Sequence, residues 1–299
     1  MTVATVVVDK KGASHKNLWL FVSAAVALLA AITLLLPNIP NLLVGFSLRQ
    51  LVFLELVFFF AGLTSGLSGF GFSGVGAASL VLLPPVLGTP LLQALSTANQ
   101  LLAVGQLSKD MPRSWKAFWA GAGPYIVGGL PGSVVGIWLL THLPARQLMI
   151  VFGSLLVLYS LYSIVKPVRA LIRDGSGAFA GGVVGFLGGM LGGFTAFPGA
   201  AVVVWSSLRN LPKEQNRAIV QPYIIMSQIY ALSLLAWLHP KVFTHQYWVL
   251  LALTLPAVLP GTVTGVITYR HISDVNFKRI SYLLLGLSGA VLLVKVLLK

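Results

Sequence analysis

Two glycine-rich interruptions cut otherwise apolar segments: GLTSGLSGFGFSG from Gly62 to Gly74, and GFLGGMLGGFTAFPG from Gly185 to Gly199. Irregular backbone at membrane depth is tolerated only where it faces protein or a watery cavity, because lipid offers no hydrogen bonds. The rule applies because the surroundings of this chain must be lipid. At 57% hydrophobic and 9% charged residues, with mean hydropathy +0.91, 299 residues folded in water would leave apolar surface they cannot hide. No stretch is polar and long enough to form a separate soluble domain, so the chain reads as one integral membrane unit.

Several chemistries are excluded at once. Cysteine is absent, which removes disulfides, thiolate catalysis and Cys-ligated zinc. The five histidines (His15, His142, His239, His245 and His271) fall in loops or at helix edges, so neither a metal site nor a cofactor is expected. An enzyme would need a nucleophile, an acid–base pair or a metal at depth, and none is visible. Lys10, Lys11 and Lys16 precede an apolar run, Asn17–Leu36, that lacks a small-x-small cleavage site. It reads as a first membrane helix that stays.

The interruptions belong to a larger repeat. Gly62, Gly66 and Gly69 match Gly185, Gly189 and Gly192 at one constant offset, and Phe72-Ser73-Gly74 answers Phe197-Pro198-Gly199 after a short slip. Leu130-Pro131-Gly132 with Gly136 returns as Leu259-Pro260-Gly261 with Gly265. The chain therefore divides into a tail and extra helix (1–50), a first unit (51–166), a cytoplasmic linker (167–175) and a second unit (176–299). The first unit reads as pieces 51–67, 72–87, 91–107, 117–141 and 146–166. The second reads as 176–191, 196–208, 214–238, 246–269 and 275–297. The first two pieces of each unit form a short, broken pair, followed by three spanning helices.

Charge orients the pieces. If each short pair reverses direction and the N-terminus is cytoplasmic, only Arg49, Arg146, Lys241, Lys295 and Lys299 fall outside. If each pair is a single kinked crossing, the cations split evenly between the sides. The first arrangement obeys the positive-inside rule, and it places the C-terminus outside and the second unit upside down relative to the first. The expected fold is thus an all-α membrane protein of two inverted-topology repeats plus one extra N-terminal helix. Such repeats with broken helices describe secondary transporters, whose site lies between the halves near the midplane.

The interior points to an anion. Five acids lie in the N-terminal tail, in loops or at helix ends, and only Glu55 sits inside a membrane piece, near enough to its end to reach the interface; proton coupling is its functional alternative. No lysine or arginine occupies the centre of a segment. An anion can instead be held by free amides where a helix restarts after each break, at Ser73-Gly74 and at Pro198-Gly199, without any buried cation. Pro198 suits a first helical turn. Thr195 in the second break, Thr97, Asn99 and Gln100 in STANQ, and Gln221, Tyr223 and Gln228 in QPYIIMSQ complete the candidate substrate site.

These motifs, over about residues 51–297, resemble the TauE/SafE (TSUP) family of sulfite and organosulfonate transporters. The resemblance rests on GLTSGLSGFGFSG, its echo GFLGGMLGGFTAFPG, and the STANQ and QPYIIMSQ helices. It implies carriage of a small sulfur-containing anion, such as sulfite, thiosulfate, sulfoacetate or a related sulfonate, across a prokaryotic cytoplasmic membrane. Where many relatives carry further glycines this chain has Phe72-Ser73, which changes the pocket and with it the substrate. The expected partners are that anion, the lipid bilayer and protons, with no nucleic acid. A passive anion channel and a carrier of small non-sulfur carboxylates are the alternatives.

Overall fold

The computed structural model describes residues 45–106, 114–165, 177–209, 211, 213–269 and 274–298. The helix expected at Asn17–Leu36 and the linker expected at 167–175 lie outside them. Among the described residues every regular element is a helix.

Helix α1 (Leu48–Ser68) opens on a capping box: the Gln50 amide donates to Ser47 Oγ at 3.3 Å, and the Ser47 amide donates to Gln50 Oε1 at 2.8 Å. It stops at Gly69, whose φ of 77° is cheap only for glycine. Gly71 then turns the chain into α2 (Phe72–Gly76), which tightens into a 3-10 helix at Ala77–Val81. The first unit continues with α3 (Pro85–Gln106), α4 (Trp115–Gly121), α5 (Gly123–His142) and α6 (Ala145–Val165). The second comprises α7 (Ala178–Thr195), α8 (Gly199–Leu208), α9 (Lys213–Leu238), α10 (His245–Tyr269) and α11 (Asp274–Leu297).

Two boundaries differ from the sequence reading. The piece expected at 72–87 ends at Val81, and the helix expected from 91 already begins at Pro85, where a missing amide costs nothing. The piece expected at 117–141 divides between Gly121 and Gly123, because Pro124 has no amide to continue the ladder. Among the described residues, six helices are long and apolar enough to cross a membrane: α1, α5, α6, α7, α10 and α9 from Gln215.

Lipid supplies no hydrophobic drive between helices, so close backbone approach and polar contacts decide their packing. The two most extensive seams join α5 to α7 and α1 to α10; α6 lies along α11, and α3 crosses α9. Thus the first helix of each unit packs along the last-but-one helix of the other. The repeated glycines are what allow it. A Cβ on Gly132, Gly136, Gly185 or Gly189 would overlap the carbonyl of Phe186, Met190, Tyr125 or Gly129 in turn. Gly62, Gly66, Gly261 and Gly265 stand in the same relation to Val258, Thr262, Phe59 and Leu63. The glycines that mark the internal repeat in the sequence therefore serve these seams.

Gly132→Ala should push α5 off α7, because its methyl meets backbone that has no room to move. A loss of about 1–3 kcal/mol or more is expected, read as a lower melting temperature of the detergent-solubilised protein. Gly177→Ala, where a Cβ meets nothing within 4 Å, is the control.

The two units differ in one respect. The short helix of the first is docked on α11: Gly74 lies against Leu285, Ser288 Oγ donates to the Val75 carbonyl at 3.3 Å, and Lys295 Nζ donates to the Leu80 carbonyl at 3.0 Å. Its counterpart α8 stands away from α6 across an apolar cleft of about 750 Å³, walled by Leu155, Tyr159, Ala200, Val204 and Trp205 among others.

Candidate functional site

The two breaks touch. Ser73 Oγ, just after the first, donates to the carbonyl of Ala196, inside the second. Ala196 has φ 60°, the one non-glycine residue with positive φ among the described residues. Such strain persists only where neighbours over-determine it. Here Gln228 Nε2 supplies a second donor to the same carbonyl at 3.2 Å and also reaches Ser96 Oγ at 2.9 Å, while Thr97 Oγ1 donates to Gln228 Oε1 at 3.3 Å.

Helix α3 staples both breaks. Gln100 Nε2 donates to the Gly69 carbonyl at 3.1 Å on one side. On the other, Gln93 Nε2 reaches the Gly192 carbonyl at 2.9 Å and Thr89 Oγ1 the Phe194 carbonyl at 3.1 Å. The Gly69 and Phe194 carbonyls are of the kind that a helix end leaves without an intrahelical partner, while the Gly192 carbonyl also accepts the Ala196 amide at 2.9 Å. The polar face of α3 is thus first a device for ending α1 and α7 inside protein.

Between the breaks lies a cavity of about 10 Å³, lined by Gly71, Phe72, Ser73, Ser96 and Gln100 from the first unit, and by Ala196, Phe197, Pro198, Gly199, Ile224 and Gln228 from the second. It sits near the middle of α3 and of α9. It has room for about one water, and an oxyanion of four or more heavy atoms does not fit, so the site is shut. No acidic side chain lines it, and the start of α8 adds a positive helix end.

Of the residues expected at a substrate site, Ser73, Gln100, Pro198, Gly199 and Gln228 line this cavity, and Thr97 is one hydrogen bond away through Gln228. Others are placed elsewhere. Gly74 faces Leu285 of α11. Asn99 donates to Ser65 Oγ at 2.7 Å and accepts from Thr262 Oγ1 at 2.6 Å, tying α1 and α10 to α3. Thr195 bonds its own helix through the Leu191 carbonyl and accepts the Phe197 amide at 3.2 Å, shaping the break without entering the cavity. Tyr223 donates to the Gly185 carbonyl at 2.7 Å beside the α5–α7 seam. Gln221 is fully buried, and neither of its amide atoms has a hydrogen-bond partner among the described residues.

Two charged residues depart from expectation. Glu55, expected near a solvated helix end, is buried at 5% exposure on α1, which packs lengthwise on α10. Arg217, read from sequence as a cytoplasmic loop-side charge, is 7% exposed and donates through Nη2 to the Leu67 carbonyl at 3.3 Å. Its Nε lies 2.8 Å from where a Cβ on Gly69 would stand, so the guanidinium rests on the first break. The expectation of no buried cation is therefore corrected. The missed signal is periodic: Arg217 is one turn before Gln221 on the face of α9 that carries Gln228.

A family model described as sulfite exporter TauE/SafE matches residues 54–292, from within α1 to within α11, which takes in both breaks and every cavity-lining residue. The chain belongs to the TauE/SafE family. No curated protein and no solved structure gives a match. TauE/SafE membership makes this a multi-pass membrane protein of sulfite or anion exporter-type transport.

Proposed function

We propose that this TauE/SafE chain is a secondary transporter that carries a small sulfur-containing oxyanion or sulfonate through the point where its two breaks meet. The observation that carries the reading is the cavity: it is lined by residues of both units, none of them acidic, and lies near the middle of α3 and of α9. The crosswise packing of first on last-but-one helices supports inverted units. The shut cavity, with one short helix docked and the other standing off, supports alternating access over a continuous pore. In this reading the membrane is a prokaryotic inner membrane, with the N-terminus cytoplasmic and the C-terminus outside. Glu55 is the proton-coupling residue, and the cavity groups together with Thr97 and Gln221 handle the substrate.

Sulfite, thiosulfate, sulfate, sulfoacetate, taurine and simple carboxylates, added to the purified protein, give the test. A bound anion at a hundred times its Kd contributes about 2.7 kcal/mol, which for a chain of this size raises the melting temperature by roughly 5–10 °C. Sulfur oxyanions should produce the shift and carboxylates should not. Uptake into proteoliposomes should saturate and respond to a pH gradient. Linear, unsaturable flux would instead make the protein a channel, and a shift with carboxylates alone would change the substrate class.

A further inference from the structure

Arg217 and Glu55 are the charged side chains in the buried set among the described residues, and only Arg217 lies beside a break. Gln221 is fully buried with both amide atoms unpartnered among the described residues, although a glutamine offers two donors and an acceptor. Buried polar groups are nearly always paired, so an unpaired one needs its own explanation. The two positions are one helical turn apart, and Ile224 and Gln228, both in the cavity wall, continue the same face of α9. From Arg217 to Gln228 the helix rises about 16 Å. On the opposite wall the Gly69 turn, on which the guanidinium rests, accepts the hydrogen bond of Gln100, another cavity residue.

We propose that Arg217 and Gln221 form an outer anion station on α9, where an oxyanion is held before it moves on to the cavity between the breaks. This rests on the transport reading above and adds to it a second binding position and a selectivity determinant. A guanidinium presents a planar fork of donors that matches an oxyanion, and it is more weakly hydrated than an ammonium, so it keeps its charge in a buried position. Gln221 then supplies the donors for the handover, and its amide finds its partner in the passing anion. Capping the end of α1 accounts for the bond from Nη2 to Leu67. That bond does not account for an unpaired, fully buried amide one turn further along.

Sulfite uptake into proteoliposomes separates the possibilities, using full-length protein and reading KM, Vmax and melting temperature together. Gln221→Leu removes an unpaired polar group, so it should raise the melting temperature while raising KM about tenfold, with Vmax within about twofold. Arg217→Lys keeps a cation at the end of α1 but loses the fork, and should raise KM by a similar factor. Unchanged KM in both variants, with wild-type uptake intact, overturns the station and leaves the transport reading standing. A lower melting temperature with unchanged KM in Gln221→Leu overturns it as well, because the amide is then structural. Absence of uptake and of anion-induced stabilisation in the wild-type protein removes the transport reading, and the station with it.

Discussion

Gln228→Leu should reduce sulfite uptake by about ten- to a hundredfold. The side chain is 1% exposed and joins three elements: it donates to Ser96 Oγ on α3 and to the Ala196 carbonyl in the second break, and it accepts from Thr97. Leucine is of similar size, so the cavity is not refilled; what disappears is a pair of donors and one acceptor at the centre of the site. An anion that loses one charge-assisted hydrogen bond gives up about 1.5–3 kcal/mol, and each 1.4 kcal/mol is about tenfold in affinity. The Ala196 carbonyl keeps Ser73 as its remaining donor, so the break loses part of what holds its left-handed residue. Folding should therefore suffer by only about 1–3 kcal/mol, visible as a melting temperature a few degrees lower with a normal gel-filtration profile. The pairing of a modest stability loss with a roughly ten- to hundredfold transport loss is the signature to look for. If uptake persists within about twofold of wild type, Gln228 is a structural tie and the cavity is not the binding position.

Much of the architecture was readable from periodicity and glycine placement, and the reasons it was readable also explain the errors. Helices α6 to α11 are long apolar runs ended by charge, glycine or proline, so their limits fell within a few residues of the structure. The first unit was harder. Pro85 and Pro90 look like helix breakers in a sequence, yet one opens α3 and the other is carried inside it. The repeated glycines stand out in the sequence, but a repeated glycine says only that something comes close, and at Gly132 or Gly185 that something is another helix. What distinguishes Gly69 and Gly71 is their positive φ, and φ is set by tertiary context. Glutamines and threonines on α3 posed a similar problem. Their clustering is visible in the sequence; whether a given glutamine only meets a carbonyl, as Gln93 meets Gly192, or also lines the cavity, as Gln100 does while bonding Gly69, depends on tertiary contacts. Arg217 was overlooked because a cation near a helix start is ordinarily solvated, and only the fold brings the Gly69 turn over it.

Locking α2 onto α11 should stop transport altogether. The chain has no cysteine of its own, so the double variant Gly74→Cys with Leu285→Cys contains a single pair. The position of a Cβ on Gly74 is 3.4 Å from Leu285 Cγ, which brings the two Cβ atoms into the reach of a disulfide. Truncating Leu285 to cysteine also removes the methyl that a side chain at position 74 would strike. In the proposed cycle the docked pair α2–α11 opens as α8 closes its 750 Å³ cleft against α6, the two units exchanging the arrangements that they show here. A covalent bridge holds the Cα atoms within about 7 Å, which forbids that exchange without altering the cavity. Uptake should be normal under reducing conditions, fall to background after oxidation, and return on adding dithiothreitol. Anion-induced thermal stabilisation should change with the bridge only if binding requires the undocked form. Full uptake by the oxidised protein would mean that α2 never leaves α11, and access would then have to come from motion elsewhere, with α8 moving alone as the first alternative to test.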